Sequence, residues 1–379
     1  VRIEKWVYGG DGLARLTDGR VVLAPFVLPG EMARIEAGDE IRAELLEVLE
    51  PSPDRVAPAC PVFAKCGGCH YQHAPYEYQL ARKSEILREQ LRRVGKIDYQ
   101  GEIAVISGEP LGYRNRAQFH IDNGRIGYLA ARSRELVPVE RCPISSPRLN
   151  EALAMLRDRL HDPKFPRFVQ EIEVFTNETG VQFNVLESDR HVAKSFYEWM
   201  ESTVALEYPT RFGAFRVSPR SFFQVNRFLI ESLTDAALER ASGKTALDLY
   251  AGVGLFARRM KEKFDQVVAV ESGASAVRDL EINAPGVTPE HARVEDYLAK
   301  LDKTPDFVLA DPSRAGLGKI VAASLARLAP ARITIVSCDP ATLARDLAAL
   351  GKYKISRLTL IDLFPQTYHM ETIAHLERI

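Results

Sequence analysis

Four short apolar runs in the second half of the chain leave little choice of fold. ALDLY (246–250), QVVAVE (266–271), DFVLAD (306–311) and RITIVSC (332–338) are each nearly unbroken in apolar residues. Runs of this kind suit strands covered on both faces, the situation of a parallel sheet sandwiched between helices. Helical patterns fall around them, near 225–241, 254–263, 273–283, 318–328 and 341–350. Such alternation predicts a doubly wound α/β domain over 209–379. The last two runs, ISRLTLIDLF and HMETIAHLER, are too close together for a helical crossover, which predicts an antiparallel pair at the sheet end.

The first half reads differently. Residues 1–52 carry short β-rich segments, among them RVVLAPFV (20–27), separated by the turn signals GGDG, DG and PG. Several strands in so short a stretch suggest a small β-barrel of the OB type. A Pro51-Ser52-Pro53 linker leads into a central α+β region, 53–208. There Pro75 opens a helix over about 76–94, and YRNRAQFHID, an Asn123-Gly124 turn, RIGYLA and ELVPVERCPI read as strands. Arg82, Lys83, Arg88, Arg92 and Arg93 give the helix a basic face, with a solvated surface as the plain alternative to a binding face. The segment from Cys60 to Arg148 holds fourteen Lys/Arg against nine Asp/Glu, whereas residues 1–50 hold six against ten. With a formal net charge of −1, any nucleic-acid surface must be local to the middle of the chain.

Five cysteines sharpen the picture. Cys60, Cys66 and Cys69 crowd together, Cys142 is remote and followed by proline, and Cys338 ends a buried run. An odd total suits a disulfide framework poorly, and the opening VRIEKWVYGG carries no basic-then-apolar signal. The expected compartment is the reducing cytoplasm, where clustered cysteines bind metal or do chemistry. No apolar run approaches the ~18 residues that span a bilayer, so no membrane association is expected. Three close ligands and one distant one, with Gly67-Gly68 allowing a tight wrap, favour a [4Fe-4S] cluster on Cys60, Cys66, Cys69 and Cys142 over zinc.

Three further sites fall at strand ends of the α/β domain, where open sheets bind ligands. In DLYAGVG (248–254) a strand runs into a glycine turn and a helix, so that Tyr250, Gly252 and Gly254 can bring backbone N–H groups to a cofactor. Glu271 ends the next strand, where a carboxylate can accept both hydroxyls of a ribose, that of NAD or of S-adenosylmethionine. Asp311 of DPSR can hold a flat polar ligand, and a plain helix-start Asp-Pro competes with that reading. Cys338 of SCDP precedes a helix start, a position that can lower a thiol pKa, although a lone buried cysteine is commonly inert.

Taken together, these segments resemble the RNA 5-methyluridine (uracil-C5) methyltransferases over essentially the whole chain. GGDGLAR (9–15) and LPGE (28–31) look like the TRAM domain of the 23S ribosomal-RNA branch, and the four cysteines look like that branch's [4Fe-4S] site. SFFQVN (221–226) is similar to a family segment whose glutamine, here Gln224, lies at cofactor and target base. Residues 337–346 resemble the nucleophile motif, and FPQT (364–367) through HMET (369–372) the motif of the base. The chain departs from the pattern at Leu255, where the family has a cofactor-contacting Asn, at Ser313 and Asp339, and around Arg293. The resemblance implies S-adenosylmethionine bound by Gln224, Tyr250, Gly252, Gly254, Glu271 and Asp311, with Cys338 as nucleophile and Glu371 as base. It also implies an RNA partner, 23S rRNA by that branch, and a monomeric enzyme. Methylation of the transfer-RNA T-loop and a non-catalytic RNA binder with a degenerate domain are the alternatives. A nicotinamide-linked oxidoreductase would leave Cys338, Glu371 and the cysteine group without a role.

Overall fold

The computed structural model describes all of residues 1–379. At the N-terminus β1 (Ile3–Trp6), β2 (Asp11–Arg15) and β3 (Val21–Pro25) form an antiparallel sheet, and β4 (Met32–Glu36) and β5 (Glu44–Glu50) form a hairpin. Bridges from Arg2 to Met32 and from Leu23 to Arg42 tie the two together. Their shared core is small, built on residues such as Ile3, Val22, Val27 and Ala33.

The chain then passes through the cysteine loop to α1 (Tyr76–Arg93) and β6 (Ile103–Ile106). Next come β7 (Arg116–Asp122), β8 (Arg125–Leu129) and β9 (Leu136–Pro138), then α2 (Pro147–Arg159), β10 (Val169–Thr176), β11 (Val181–Ser188) and α3 (Lys194–Trp199). These strands make an antiparallel sheet in the order β11-β10-β7-β8-β9. Asn123 and Gly124 both take positive φ at the β7–β8 turn, as a tight hairpin requires. α2 covers the sheet through Leu149, Leu153 and Leu156. A separate hairpin, β12 (Leu206–Thr210) and β13 (Gly213–Val217), leads into the α/β domain.

That domain runs α4 (Ile230–Ala237), β14 (Thr245–Leu249), α5 (Leu255–Met260), β15 (Gln266–Glu271), α6 (Ala274–Asn283), β16 (Thr288–His291) and α7 (Val294–Lys300). It continues through β17 (Phe307–Ala310), α8 (Gly318–Leu328), β18 (Arg332–Ser337), α9 (Pro340–Ala349), β19 (Tyr353–Ile361) and β20 (Glu371–Arg378). The sheet order is β16-β15-β14-β17-β18-β20-β19-β6. β14 to β18 pair in parallel, and every residue of β17 is buried, in keeping with its apolar run. It is a Rossmann-like sheet.

Two features depart from the sequence reading. The antiparallel pair does not form the sheet end: β20 inserts between β18 and β19, and the edge is taken by β6, which runs parallel to β19. The large sheet therefore borrows a strand from the 53–208 segment. Second, Lys83 does not belong to an open basic face. With Gln79, Ile86, Leu87 and Leu91 it lies on the buried side of α1, which packs on α9. One apolar core joins Trp6 and Leu28 of the N-terminal strands, Leu87 and Leu91 of α1, and Leu247, Ile335 and Leu360 of the large sheet. No helix is long and apolar enough to cross a membrane.

Candidate active site

The strand ends of β14, β15, β17 and β18 open on one side of the sheet, where doubly wound folds bind ligands. β14 delivers Asp248 into the interior and then turns sharply. Tyr250 takes φ 63°, unusual for a bulky side chain, and Gly252 (φ 55°) and Gly254 (φ 91°) complete the turn into α5. A Cβ added at Gly252 would meet nothing within 4 Å, so the turn faces open space. Gly254 is packed instead: a Cβ there would come within 2.6 Å of Leu280. Glu271, at the end of β15, spans the turn. Its Oε2 accepts the Gly252 N–H at 3.0 Å and its Oε1 the Gly273 N–H at 2.6 Å. Leu255, where the family pattern has a polar residue, is buried in an apolar cluster.

Cys338 and Glu371 meet through strand register. Ser337, the last residue of β18, pairs with Thr372 in the antiparallel β18–β20 ladder, so Cys338, just past the end of β18, and Glu371, the first residue of β20, leave the ladder at the same end, and the Glu371 charge acts on the thiol. Asp311 follows β17, and its N–H donates to Leu249 O, which sets it between the glycine turn and this pair. Gln224 is buried in a segment pinned at both ends. Ser221 donates to Asp279 of α6 at 2.8 Å, and Asn226 donates to Leu363 O at 3.1 Å, just before the loop that leads to Glu371.

The electrostatics of the crevice are dominated by buried carboxylates. Burial and the neighbouring Asp311 charge push the Glu371 carboxyl well above its usual range, and burial pushes Asp311 up to about 7. Asp248 is raised strongly as well, by burial and then by Asp311, with only partial relief from the Ala257 N–H. Neither Asp248 oxygen makes a hydrogen bond of good geometry, and Oε1 of Glu371 has no partner. Buried carboxylates without donors favour a ligand that brings positive charge and N–H or O–H groups. S-adenosylmethionine does so, with a sulfonium, an ammonium and a ribose, and the residues present fit it.

The thiol contradicts the expectation of a lowered pKa. Burial pushes Cys338 up to about 12, Glu371, Asp311 and Asp339 push in the same direction, and Arg314 alone opposes them. The N–H groups at the start of α9 are taken by Asp339, which caps the helix and denies them to the sulfur. Arg314 of DPSR and His369 of HMET stand side by side, Nη2 to Nε2 at 3.3 Å, although the sequence assigns a role only to Asp311 and Glu371 of those segments.

Cys60, Cys66, Cys69 and Cys142 line one cavity of about 300 Å3, whose wall also includes Arg314 and His369. All are free thiols. Burial, and then mutual repulsion of the thiolates, raises Cys66 to about 11, and Cys69, also relieved by a Gln72 hydrogen bond, to about 12. Gly67 lets the loop lie against Ala131 backbone, 3.1 Å from where a Cβ would sit, and Asn150 of α2 brackets Cys142 with bonds to its N–H and C=O. No three His, Cys, Asp or Glu side chains are drawn together as ligands of a single metal ion.

A parallel sheet with a glycine turn and an acidic crevice at its strand ends defines a class, the Rossmann-like methyltransferases that use S-adenosylmethionine. Comparison with known proteins narrows it. Residues 289–379 match the family described as tRNA (Uracil-5-)-methyltransferase. The chain is 34% identical to an Aquifex aeolicus protein described as an uncharacterized RNA methyltransferase, across 99% of this chain and 97% of that one. It is 33% identical to a Caulobacter vibrioides protein of the same description, across 97% of each. The crystal structure of Pyrococcus abyssi tRNA (uracil-54, C5)-methyltransferase in complex with S-adenosyl-L-homocysteine is similar over 99% of both chains, with a TM-score of 0.77 and 26% identity. The protein belongs to this family and is an S-adenosylmethionine-dependent RNA (uracil-C5) methyltransferase.

Proposed function

We propose that the protein methylates C5 of a specific uridine through a covalent enzyme–RNA adduct. The observation that carries the reading is the β18–β20 register, which supports it by bringing Cys338 and Glu371 to the same end of the ladder beside the acidic crevice. Uracil C5 is a weak nucleophile. Addition of the Cys338 thiolate to C6 makes it an enolate whose electron pair sits on C5. S-adenosylmethionine supplies the methyl group. Glu371 then takes the C5 proton, and the C6–S bond breaks to restore the double bond and the thiolate. A carboxyl whose ordinary pKa is raised by burial is a stronger base once ionised, which suits it to this step. Gln224, Tyr250, Gly252, Gly254, Glu271 and Asp311 hold the cofactor and the uracil edge. The target base must leave its stack, at a cost of a few kcal/mol.

Cys60, Cys66, Cys69 and Cys142 would hold a [4Fe-4S] cluster. In support, they line one cavity and come from a glycine-hinged loop and a bracketed residue. Residues 1–52 serve as a TRAM-like RNA-binding barrel, 53–208 as the cluster and RNA region, and 209–379 as the methyltransferase domain. The substrate read from the cysteine pattern is 23S rRNA. The likeness to the Pyrococcus abyssi tRNA enzyme supports a second reading, the transfer-RNA T-loop. The enzyme acts as a cytoplasmic monomer.

Cys338→Ala and Glu371→Gln distinguish the steps. The first removes the nucleophile and yields neither product nor adduct. The second methylates and stalls, leaving a nuclease-sensitive band on a denaturing gel that requires S-adenosylmethionine. RNA with 5-fluorouridine traps the unmutated enzyme, because fluorine cannot leave as a cation. Methylation by Cys338→Ala, or no adduct in either trap, would exclude the mechanism. Mapping 5-methyluridine in RNA from cells lacking the protein separates the ribosomal from the transfer-RNA reading.

A further inference from the structure

Tyr8 lies 331 residues from Asp339 in the chain, yet its hydroxyl donates to Oδ2 of Asp339 at 2.8 Å. The other oxygen of that carboxylate accepts the N–H groups of Ala341 and Thr342, each at 2.9 Å, and so starts α9. Asp339 thus divides its two oxygens. One holds the helix that follows Cys338, and the other is held by the turn between β1 and β2. The Tyr8 ring packs edge-on against Tyr368, with centroids 5.6 Å apart and planes at 85°. Tyr368 lies in the segment that runs into Glu371. A single side chain from the N-terminal strands therefore touches both segments on which Cys338 and Glu371 ride.

The charge around the sulfur makes this contact matter. Glu371, Asp311 and Asp339 all oppose ionisation of Cys338, and Arg314 is the one cation that favours it. A neutral side chain at 339 would remove one of those three charges. With an aspartate there, the free oxygen must be occupied, or it can turn toward the adjacent sulfur. We propose that Tyr8 is a positioning residue for methyl transfer: by holding Oδ2 of Asp339 it keeps that carboxylate directed away from Cys338 and makes the seating of the nucleophile turn depend on the docked N-terminal strands. The proposal rests on the reading of Cys338 as nucleophile.

Tyr8→Phe keeps the ring and its packing and removes only the hydroxyl. The pH profile of iodoacetamide alkylation, resolved at Cys338 by mass spectrometry, should move to higher pH. Trapping by 5-fluorouridine RNA should slow about three- to tenfold near neutral pH, as a rise of up to about one unit in thiol pKa requires, while KM for RNA changes little. Adding Asp339→Asn to Tyr8→Phe removes the unpaired charge and should return both readouts most of the way. With Trp199→Phe as the common background, Trp6, stacked on Tyr71 at 4.1 Å, reports by its fluorescence whether the N-terminal strands stay docked. Unchanged profile and trapping in Tyr8→Phe would overturn the proposal, as would a double variant with intact Trp6 signal and no recovery. Should the Trp6 signal move in Tyr8→Phe, Asp339→Asn alone must shift the Cys338 profile to lower pH, and an unmoved profile overturns the proposal. Failure of the unmutated enzyme to be trapped would instead refute the nucleophile reading, with the alkylation profile still judging Tyr8.

Discussion

Lys83→Met is the substitution whose cost the structure specifies best. The Lys83 and Asp362 side chains are both fully buried, with Nζ 2.7 Å from Oδ1. Nζ also donates to Phe364 O at 3.1 Å and to His369 O at 2.8 Å, so all three ammonium protons have acceptors. One turn earlier on α1, Gln79 exchanges two hydrogen bonds with Gln366 of the same loop, through its Nε2 and Oε1. The pair thus fastens residues 362–369, the stretch that feeds Glu371 into β20. Methionine matches the length of the lysine stem but strands two carbonyls and a buried carboxylate that keeps only the nearby Tyr76 hydroxyl, which makes no hydrogen bond of good geometry to it. Breaking a buried ion pair from one side costs about 3–5 kcal/mol. That is about a fifth or more of a typical total stability of about 5–15 kcal/mol. With a urea m-value of about 3 kcal/mol/M, the denaturation midpoint should fall by about 1–1.7 M. Replacing both partners, Lys83→Met with Asp362→Leu, removes the orphaned charge and should recover most of the loss. The assay is urea denaturation followed by fluorescence and circular dichroism. A single variant within about 0.5 kcal/mol of the parent, the usual spread of neutral surface changes, would refute the reasoning. So would a double variant no more stable than the single one.

Four further outcomes follow from the same geometry. Glu271→Ala should weaken S-adenosylmethionine binding by roughly 1.5–3 kcal/mol, the worth of hydrogen bonds to a charged group, and equal affinity by calorimetry would refute its ribose role. S-adenosylmethionine should shift the Cys338 alkylation profile to lower pH more than S-adenosylhomocysteine does, because only the first carries a sulfonium to offset the carboxylates; equal shifts would count against the electrostatic account. His375, buried with Thr334 and Ala236 O as partners, has its pKa lowered to about 4, chiefly by burial. Its neutral form is favoured in the folded state, so stability is complete above the unfolded value of about 6.5 and declines as pH falls toward 4, by up to about 3 kcal/mol; His375→Gln should flatten that part of the stability–pH curve. Anaerobically purified protein should contain about four iron and four sulfide per chain, and Cys66→Ser should lose both; stoichiometric zinc without sulfide would sink the cluster assignment.

Four of the parallel strands were legible because burial on both faces leaves an unbroken apolar run, and β14, β15, β17 and β18 fall on those runs; β16, the partly exposed TPEH strand at the sheet edge, has no such run and was not legible. The DLYAGVG turn was legible because only glycine tolerates the backbone at 252 and 254 beside a helix start. The Asn123-Gly124 hairpin follows from the same local preference. These are decisions a chain makes within a few residues of itself. The insertion of β20 between β18 and β19, and the capture of the sheet edge by β6, are not, since backbone pairing between distant strands carries no residue signature. A helical repeat can show that Lys83 shares a side of α1 with leucines, but not that a buried aspartate 279 residues away makes that side habitable for an ammonium. Nor could a helix start after Cys338 reveal the direction of its pKa. That direction is set first by burial of the thiol, then by Glu371 and Asp311 from other strands and loops and by Asp339, which Tyr8 holds from the far end of the chain, against the opposing charge of Arg314. Local sequence governs backbone conformation and burial, whereas the ionisation of a buried group depends on every charge within a few ångströms, and only the folded chain determines which charges those are.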